Sequence, residues 1–305
     1  MKRYLNVIVF CIFLLLGICI SSFQNQIVYA LDKSTAKTKG LTLSPLRSEL
    51  GIAPGTSVDG TLTVTNSTTK DMAVDLNAEE FKVVNQQYDY AFTPESDLSK
   101  WVTFELSNIN LAKGDTKKVK FTVSVPLSAE PGGRYISLFA STNTGSSINE
   151  QESRQRIASL LYITVLGDVT RSGHVVSLSS PWFIGENSNW SVVLQNTGTT
   201  HFRSRYFVRI INLITDGTAA NASGGALILP GSVRLVPDTL PTPIFPGIYK
   251  AVFTIGLGDT PAKIETRLVL YMPIYFTAII LILIASIGVK LLLPKKRLKS
   301  RKNKT

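Results

Sequence analysis

Cysteine and histidine are scarce in this chain of 305 residues, which contains two of each. Both cysteines, Cys11 and Cys19, stand near the N-terminus, so the long remainder of the chain can form no disulfide. A zinc site takes three or four Cys, His or acidic ligands, and this supply is too small for the usual ligand sets. Charged residues make up 17% of the chain and hydrophobic residues 44%, which excludes a disordered protein. The length suits two domains of ordinary size.

Catalytic motifs are missing as well. The sequence contains no GxSxG, HExxH, P-loop or dinucleotide-binding pattern. His174 and His201 lie far apart and have no acid cluster beside them, so we predict structural or surface roles for both. Glu79 and Glu80 are adjacent, and on a strand adjacent side chains face opposite sides and cannot form an acid pair. The sequence therefore predicts no enzyme, no metal site and no cofactor. The alternative is an exported hydrolase with an unfamiliar site, which would need an open cleft lined by convergent acids.

The N-terminus has the pattern of an export signal. Lys2 and Arg3 precede an uncharged apolar run from Val7 to Ile20, and small or compatible residues lead to a cleavage site after Ala30. We predict a signal peptide over residues 1–30, and an uncleaved N-terminal anchor is the alternative. An exported region without cysteine is typical of a bacterium and not of a eukaryotic receptor.

The C-terminus has the pattern of a membrane anchor. The run from Leu268 to Val289 contains no charged residue and is long enough to cross a bilayer as a helix, which takes about 20 residues. We predict a transmembrane helix over residues 272–293. The tail over residues 294–305 is rich in Lys and Arg and contains no acid, which favours the cytoplasmic side. The expected location is the cell membrane, with a single pass and the N-terminal region outside.

These two ends hold most of the net charge of +11. Lys2 and Arg3 carry two of the eleven charges, and the basic residues from Lys290 onward carry eight, so about one is left for the residues between. Nucleic-acid binding needs basic residues on the folded surface. The near-neutral exported region therefore argues against a nucleic-acid partner.

Between Gly40 and Tyr271 the hydrophobic residues repeat with a period of two, as in half-buried strands. Val119, Phe121 and Val123, for example, alternate with polar residues. Turn signals such as Pro-Gly and Asn-Thr-Gly recur at short intervals, which is typical of β-sandwiches. We predict an all-β fold of two tandem immunoglobulin-like β-sandwich domains plus the C-terminal transmembrane helix. A linker over residues 31–39 would precede a first domain over 40–168 and a second over 169–271.

The two predicted domains share local motifs. A strand ends in Asn in each, at Asn66 and Asn196, and a late Pro-Gly precedes Tyr135 in the first and Tyr249 in the second. We expect both tyrosines to pack at the core rim and to bond a neighbouring loop.

The first domain resembles the peptidoglycan-binding domain of WxL-interacting bacterial surface proteins. The resemblance rests on motifs such as Leu62-Thr-Val-Thr-Asn66, Leu111-Ala-Lys-Gly-Asp115 and Pro131-Gly-Gly-Arg-Tyr135. The second domain is similar in layout to that family's second immunoglobulin-like domain, through Leu194-Gln-Asn-Thr-Gly198 and Pro246-Gly-Ile-Tyr249. The resemblance implies a membrane-held component of a surface complex that touches peptidoglycan and partner proteins. Another related bacterial immunoglobulin-like surface protein remains the alternative.

Aromatic residues supply the candidate binding sites. Trp190 alternates with Val192 and Leu194 and is predicted to lie in the core. Trp101 precedes an inward-facing Val102 and would point outward, where aromatic rings can stack on sugars or partner surfaces. Tyr88 and Tyr90 share a parity that could place them outward too. For Trp101 the alternative is that it covers a loop or the sandwich rim.

We therefore expect a non-catalytic, membrane-anchored surface protein that binds cell-wall polymer, other exported proteins or both. The alternative is an accessory subunit of a membrane enzyme or transporter, with the span making the specific contact. Exchange of residues 272–305 for a foreign span and tail would distinguish the two.

Overall fold

The computed structural model describes residues 40–143, 155–185 and 188–292. The predicted signal peptide (1–30), linker (31–39) and basic tail (294–305) lie outside the described residues. The described chain forms two β-sandwiches followed by a helix.

The first sandwich contains ten strands, which pair in two sheets that enclose one core. A short 3-10 turn, Ser99–Trp101, precedes the sixth strand. The strands are β1 (Leu41–Ser44), β2 (Arg47–Ile52), β3 (Ser57–Asn66), β4 (Met72–Val83), β5 (Tyr90–Pro94), β6 (Val102–Phe104), β7 (Asn108–Leu111), β8 (Thr116–Ser124), β9 (Gly132–Asn143) and β10 (Arg156–Val165).

The strand order in these sheets is immunoglobulin-like. One sheet has the order β1-β3-β8-β6, and the other has the order β2-β10-β9-β4-β5, with β7 also paired to β4. The chain leaves the first sheet after β1 and joins the second as β2, which runs parallel to the last strand β10. Labelled as in an immunoglobulin domain, the first sheet is A-B-E-D, and the second is built around G-F-C.

The second sandwich repeats this arrangement with eight strands. Its sheets have the orders β11-β13-β16 and β12-β18-β17-β14-β15, and the short β12 is again parallel to the last strand. The strands are β11 (Gly173–Ser179), β12 (Phe183–Ile184), β13 (Asn189–Asn196), β14 (Phe202–Asn212), β15 (Thr218–Ile228), β16 (Val233–Thr239), β17 (Gly247–Leu257) and β18 (Thr260–Tyr271). The prediction of two tandem immunoglobulin-like sandwiches is confirmed by these strand orders. Strands β10 and β11 lie on either side of the predicted boundary between residues 168 and 169.

Each sandwich has a separate core of alternating apolar side chains. Leu62, Val119 and Val123 lie in the first core, in the alternation that the sequence predicts. Trp190 lies in the second core and is 2% exposed, so its prediction as a core residue is confirmed. The last two strands of the first sandwich pair antiparallel over most of their length, from Arg156↔Ser141 to Val165↔Gly132.

The C-terminal segment forms helix α1 (Ile274–Leu292), two residues after β18. The sequence predicts a transmembrane helix over 272–293. Among the helices in the described ranges, however, none has both the length and the apolar character that crossing a membrane requires. The predicted span is therefore not confirmed.

Candidate binding surfaces

An aromatic cluster lies between the two sandwiches. Phe81, Tyr135 and Tyr162 alternate with core residues on β4, β9 and β10, so they stand on the outer face of the second sheet of the first sandwich. Leu227 and Leu229 of the second sandwich cover them. We call this group, together with Tyr88, the interdomain cluster. Its rings meet edge-to-face or tilted, with centroids such as those of Phe81 and Tyr162 separated by 5.7 Å.

Tyr88 lies in the contact between the sandwiches, and its predicted outward position is wrong. Its side chain is 6% exposed, because the second sandwich covers it. The Tyr88 hydroxyl accepts a hydrogen bond from the backbone N–H of Leu229 at 2.7 Å and lies 2.8 Å from the Ser232 hydroxyl. The Arg234 guanidinium lies 4.0 Å above the ring centroid. Burial raises the pKa of this phenol, so Tyr88 is a neutral structural anchor.

Tyr90 begins the edge strand β5 and is half-buried. Its ring packs edge-to-face on Phe81, with centroids 5.2 Å apart, and lies 6.4 Å from the ring of Tyr88. The parity shared with Tyr88 predicts an outward position for Tyr90 on the first sandwich alone. The second sandwich lies beside that face, so Tyr90 borders the interdomain cluster instead of standing free.

Trp101 ends the 3-10 turn before β6 and is half-buried against the first core. The predicted outward orientation is therefore wrong, because a turn and not a strand sets the direction of the side chain. The alternative, a tryptophan that covers the sandwich rim, describes its position. Whether Trp101, Tyr88 or Tyr90 contributes to binding stays a prediction.

The two histidines have separate positions. His174 lies exposed on β11, whereas His201 is 9% exposed at the edge of the interdomain cluster, with Nδ1 3.3 Å from the Tyr135 hydroxyl. Burial lowers the pKa of His201, and the nearby arginines lower it further against the opposing effect of Glu49. Among the described residues, no three His, Cys, Asp or Glu side chains are grouped as metal ligands.

The adjacent acids are separately paired. Glu79 is buried and forms an ion pair with Arg156, whose guanidinium lies 3.4 Å from the ring centroid of Phe139. Glu80 pairs with Lys82 at 3.1 Å. These partners assign both carboxylates to ion pairs and not to a facing acid pair.

A cavity of about 450 Å³ opens between the sandwiches beside His201. An ion pair crosses it, since Arg203 of the second sandwich lies 3.3 Å from the Glu49 carboxylate of the first. Arg171, from the segment that joins the sandwiches, adds a second guanidinium, and Asp259 adds a second acid. The remaining lining residues are Leu50, Gly51, Thr164, Leu166, Phe202, Leu227 and Gly258. The cavity therefore offers charges of both signs, a hydroxyl and short apolar walls.

The sequence contains no local signal for this cavity. Its lining comes from β2, β10, the joining segment, β14, β15 and the β17–β18 turn, and these segments meet only after the two sandwiches pack. In the sequence, nothing distinguishes Arg171 and Arg203 from ordinary surface residues of a loop or a strand.

Comparison with known proteins gave structural similarities only. No protein-family model matches the chain, and no curated protein matches it. A chain from a chaperone–tip adhesin complex of CFA/I fimbriae biogenesis is 10% identical, with a TM-score of 0.42, over 75% of this chain and 98% of that one.

Two further similar structures are fimbrial or bacterial chaperones. The class 5 fimbriae chaperone CfaA is 11% identical, with a TM-score of 0.41, over 76% of this chain and 100% of its own. The Escherichia coli chaperone DraB is 12% identical, with a TM-score of 0.38, over 75% and 97% of the two chains. At these TM-scores the similarity indicates no function for this chain.

Proposed function

We propose that the protein is a non-catalytic component of the bacterial cell surface, held at the membrane by its C-terminal segment, whose two sandwiches bind cell-wall polymer. The resemblance to WxL-interacting proteins, carried by motifs such as Leu62-Thr-Val-Thr-Asn66, supports this proposal. In this interpretation the interdomain cluster fixes the two sandwiches relative to each other and so shapes the cavity between them.

The cavity is the observation that carries the binding proposal. Peptidoglycan presents sugar hydroxyls, peptide carboxylates and free amines. Arg171 can hold a carboxylate, and the half-exposed Arg203–Glu49 pair can exchange its partners for a carboxylate and an amine of the polymer. A flat apolar surface would fit such a polymer poorly, because it would leave these polar groups without partners.

Sedimentation with purified cell-wall sacculi tests this assignment. Arg171→Ala should weaken retention of the full chain on sacculi at least about tenfold, since a charge-assisted contact is worth roughly 1.5–3 kcal/mol. Arg209→Ala is the matched control, because Arg209 lies exposed on β14 and does not line the cavity. Equal retention of both variants and the wild type would exclude the cavity as the binding site. Failure of the wild type to sediment would exclude polymer binding altogether.

Membrane anchoring is the second part of the proposal, and its support comes from the sequence. The described helix alone does not meet the requirements for a span, but the uncharged run begins earlier, at Leu268, and a basic tail follows it. Anchored chains remain in the membrane pellet after alkaline carbonate extraction, and removal of residues 272–305 should release the protein. Release of the full chain by carbonate would contradict the anchor.

Binding of exported proteins is a second candidate, favoured by a particular strand. β15 is 11 residues long and stands at the end of the strand order of its sheet, where it pairs with β14 only in the described part of the chain. Edge strands of this length can accept an added strand from another protein. Ser223→Lys should reduce capture of a surface-protein partner in this mode and leave sacculus binding intact. Unchanged capture of the partner together with weaker sacculus binding would exclude strand addition at β15.

A further inference from the structure

The end of the second sandwich next to helix α1 exposes large apolar side chains. Ile214 is 94% exposed, Ile244 75%, Trp182 73% and Phe245 72%. Phe183 and Leu213 are exposed beside them. We call these six residues the apolar end surface. Clusters of this kind are unusual on a protein surface that faces only water and mark an interaction site.

Strand pairing brings these residues to one end of the sheet. Phe183 is paired with Leu270 near the end of β18, and the Trp182 carbonyl accepts a hydrogen bond from the Leu270 N–H at 2.8 Å. Gly247, just after Phe245, is paired with Tyr271, the last residue of β18. Three separate segments therefore converge where β18 ends.

The β14–β15 turn completes the surface at the same end. Leu213 follows β14 and donates its N–H to the carbonyl of Ile248 at 3.2 Å, at the start of β17. Ile214 continues the turn, where its N–H is bonded to the Asn212 side chain at 2.9 Å. The turn is thus held with its apolar side chains beside the loop that carries Ile244 and Phe245.

The surface is continuous with helix α1. Only Met272 and Pro273 separate the last residue of β18 from the helix, which is about 7 Å of extended chain. The hydroxyl of Tyr275, in the first turn of the helix, donates a hydrogen bond to the carbonyl of Ile244 at 3.1 Å. The helix itself exposes Ile274 and further apolar side chains. The sandwich end therefore cannot stand far from whatever surrounds the helix.

We propose that the apolar end surface lies in the interfacial region of a lipid bilayer. This inference rests on the proposed membrane anchor and adds that the second sandwich sits directly on the membrane instead of standing above it on a stalk. Aromatic side chains are favoured at the interface, where apolar rings meet polar headgroups. The segments 181–185 and 240–246 contain no charged residue, and Asp216, next to Thr215 in the turn, can remain among the headgroups.

The lipid bilayer explains the surface better than a second copy or a protein partner does. The helix and the apolar end surface form one apolar region joined by the Tyr275–Ile244 bond. If a bilayer takes up the helix, the loops beside its first turn must lie at the interface. Burial of the same loops in a protein partner would require that partner to sit between the sandwich and the membrane.

Site-directed spin labelling of the full chain tests the inference. The only two cysteines, Cys11 and Cys19, are replaced by Ser, and a single cysteine is introduced by Ile214→Cys or Ile244→Cys. Leu127→Cys is the matched control, since Leu127 is 83% exposed but lies in the first sandwich. The labelled chains are reconstituted into vesicles of phosphatidylcholine and phosphatidylglycerol, and accessibility to a water-soluble nickel reagent and to oxygen is measured. Far-UV circular dichroism checks that each variant is folded.

We expect nickel accessibility at positions 214 and 244 to fall at least about threefold on reconstitution, with oxygen accessibility rising, while position 127 stays unchanged. Flotation of the vesicles after alkaline washing measures anchoring separately. Chains that float with water-exposed labels at 214 and 244 would overturn the inference and leave the anchor intact. Chains that do not float would overturn both. Protection of the labels without vesicles, increasing with protein concentration, would assign the surface to a second copy and overturn the lipid assignment.

Discussion

Two buried asparagines stabilise corresponding loops in the two sandwiches by side-chain hydrogen bonds. Asn66 ends β3 and Asn196 ends β13, the third strand of each sandwich, and both side chains are fully buried. The Asn196 amide donates to the carbonyls of Thr200 and Ile228, and its oxygen accepts from the Gly198 N–H. The Asn66 side chain bonds its own following loop similarly, through the carbonyl of Lys70. The shared motif is therefore a repeated structural device and not a binding site.

We predict that Asn196→Ala lowers the free energy of unfolding by about 2–4 kcal/mol, because buried carbonyls and one N–H lose their partners. Chemical denaturation followed by circular dichroism measures the change. Asn221→Ala is the control, since Asn221 is exposed on β15, and it should change stability by less than about 0.5 kcal/mol. A loss of stability in Asn221→Ala as large as in Asn196→Ala would contradict this assignment.

The two late tyrosines, by contrast, differ although their motifs are alike. Tyr249 is buried in the second core and donates its hydroxyl hydrogen to the carbonyl of Phe245 at 2.7 Å, as expected for a bond to a neighbouring loop. Tyr135 lies on the outer face of its sheet, and its hydroxyl meets His201 of the other sandwich. The shared motif predicts where the strand begins. The contacts of the tyrosine side chain depend in addition on whether the other sandwich packs against it.

At the scale of strands and turns, the β17–β18 hairpin is locked to the segment between the sandwiches. Gly258, in the turn, has a φ of +75°, and a Cβ built there would lie 2.2 Å from the Arg171 carbonyl oxygen. The Asp259 N–H donates to the same oxygen at 2.6 Å. This turn therefore fixes the position of Arg171, one of the arginines of the cavity.

A matched pair of glycine variants separates crowding from backbone strain. Gly231 has a similar φ of +69°, but a Cβ there would meet no atom within 4 Å. Gly231→Ala should cost about 1–2 kcal/mol of stability from the left-handed backbone alone. Gly258→Ala should cost about 1–3 kcal/mol more, because the methyl group displaces backbone. Equal midpoints of thermal denaturation for the two variants would refute the close approach at Gly258.

Strands were the most predictable elements, for a physical reason. Alternation along β8 places Val119, Phe121 and Val123 inward because one face of that strand is buried and the other is wet. The outer face of the β9 sheet breaks this rule, since Tyr135 and Phe139 are buried on the side opposite the core. Their cover comes from the second sandwich and from Arg156, which no local pattern can indicate. The candidate site was therefore less predictable than the fold.

For the whole molecule, the contact between the sandwiches decides the shape of the cavity. Apolar packing, the Tyr88 hydrogen bonds and the Arg203–Glu49 ion pair all cross this contact. The ion pair is half-exposed and contributes little by itself. The buried rings and the bonds of Tyr88 therefore hold the domains together, and the half-exposed Arg203–Glu49 pair can exchange its partners for a ligand at little cost to this contact.

The buried histidine in this contact makes stability depend on pH. Burial first, and then Arg171, Arg203 and Arg47, lower the pKa of His201 below its ordinary value of 6.5, whereas Glu49 opposes them. The Tyr135 hydroxyl and the Tyr162 ring also face it. Because the folded-state pKa is the lower one, the unfolded chain binds a proton first as the pH falls. The contribution of His201 is therefore present above pH 6.5 and is lost as the pH falls from there through the folded-state pKa.

We predict that His201→Gln flattens the pH profile of stability just below pH 6.5, where one proton changes the free energy of unfolding by at most about 1.4 kcal/mol per pH unit. Glutamine stays neutral and can still bond the Tyr135 hydroxyl, so the variant should fold. Denaturation midpoints measured between pH 5 and 8 test this, with His174→Gln as the control, because His174 is exposed on β11 and should keep the wild-type profile. His201 of the second sandwich contacts Tyr135 of the first. Small-angle scattering at decreasing pH should therefore show the domains of the wild type separating at a higher pH than those of His201→Gln. A His201→Gln profile as steep as that of the wild type would show that other groups govern the acid sensitivity of the contact.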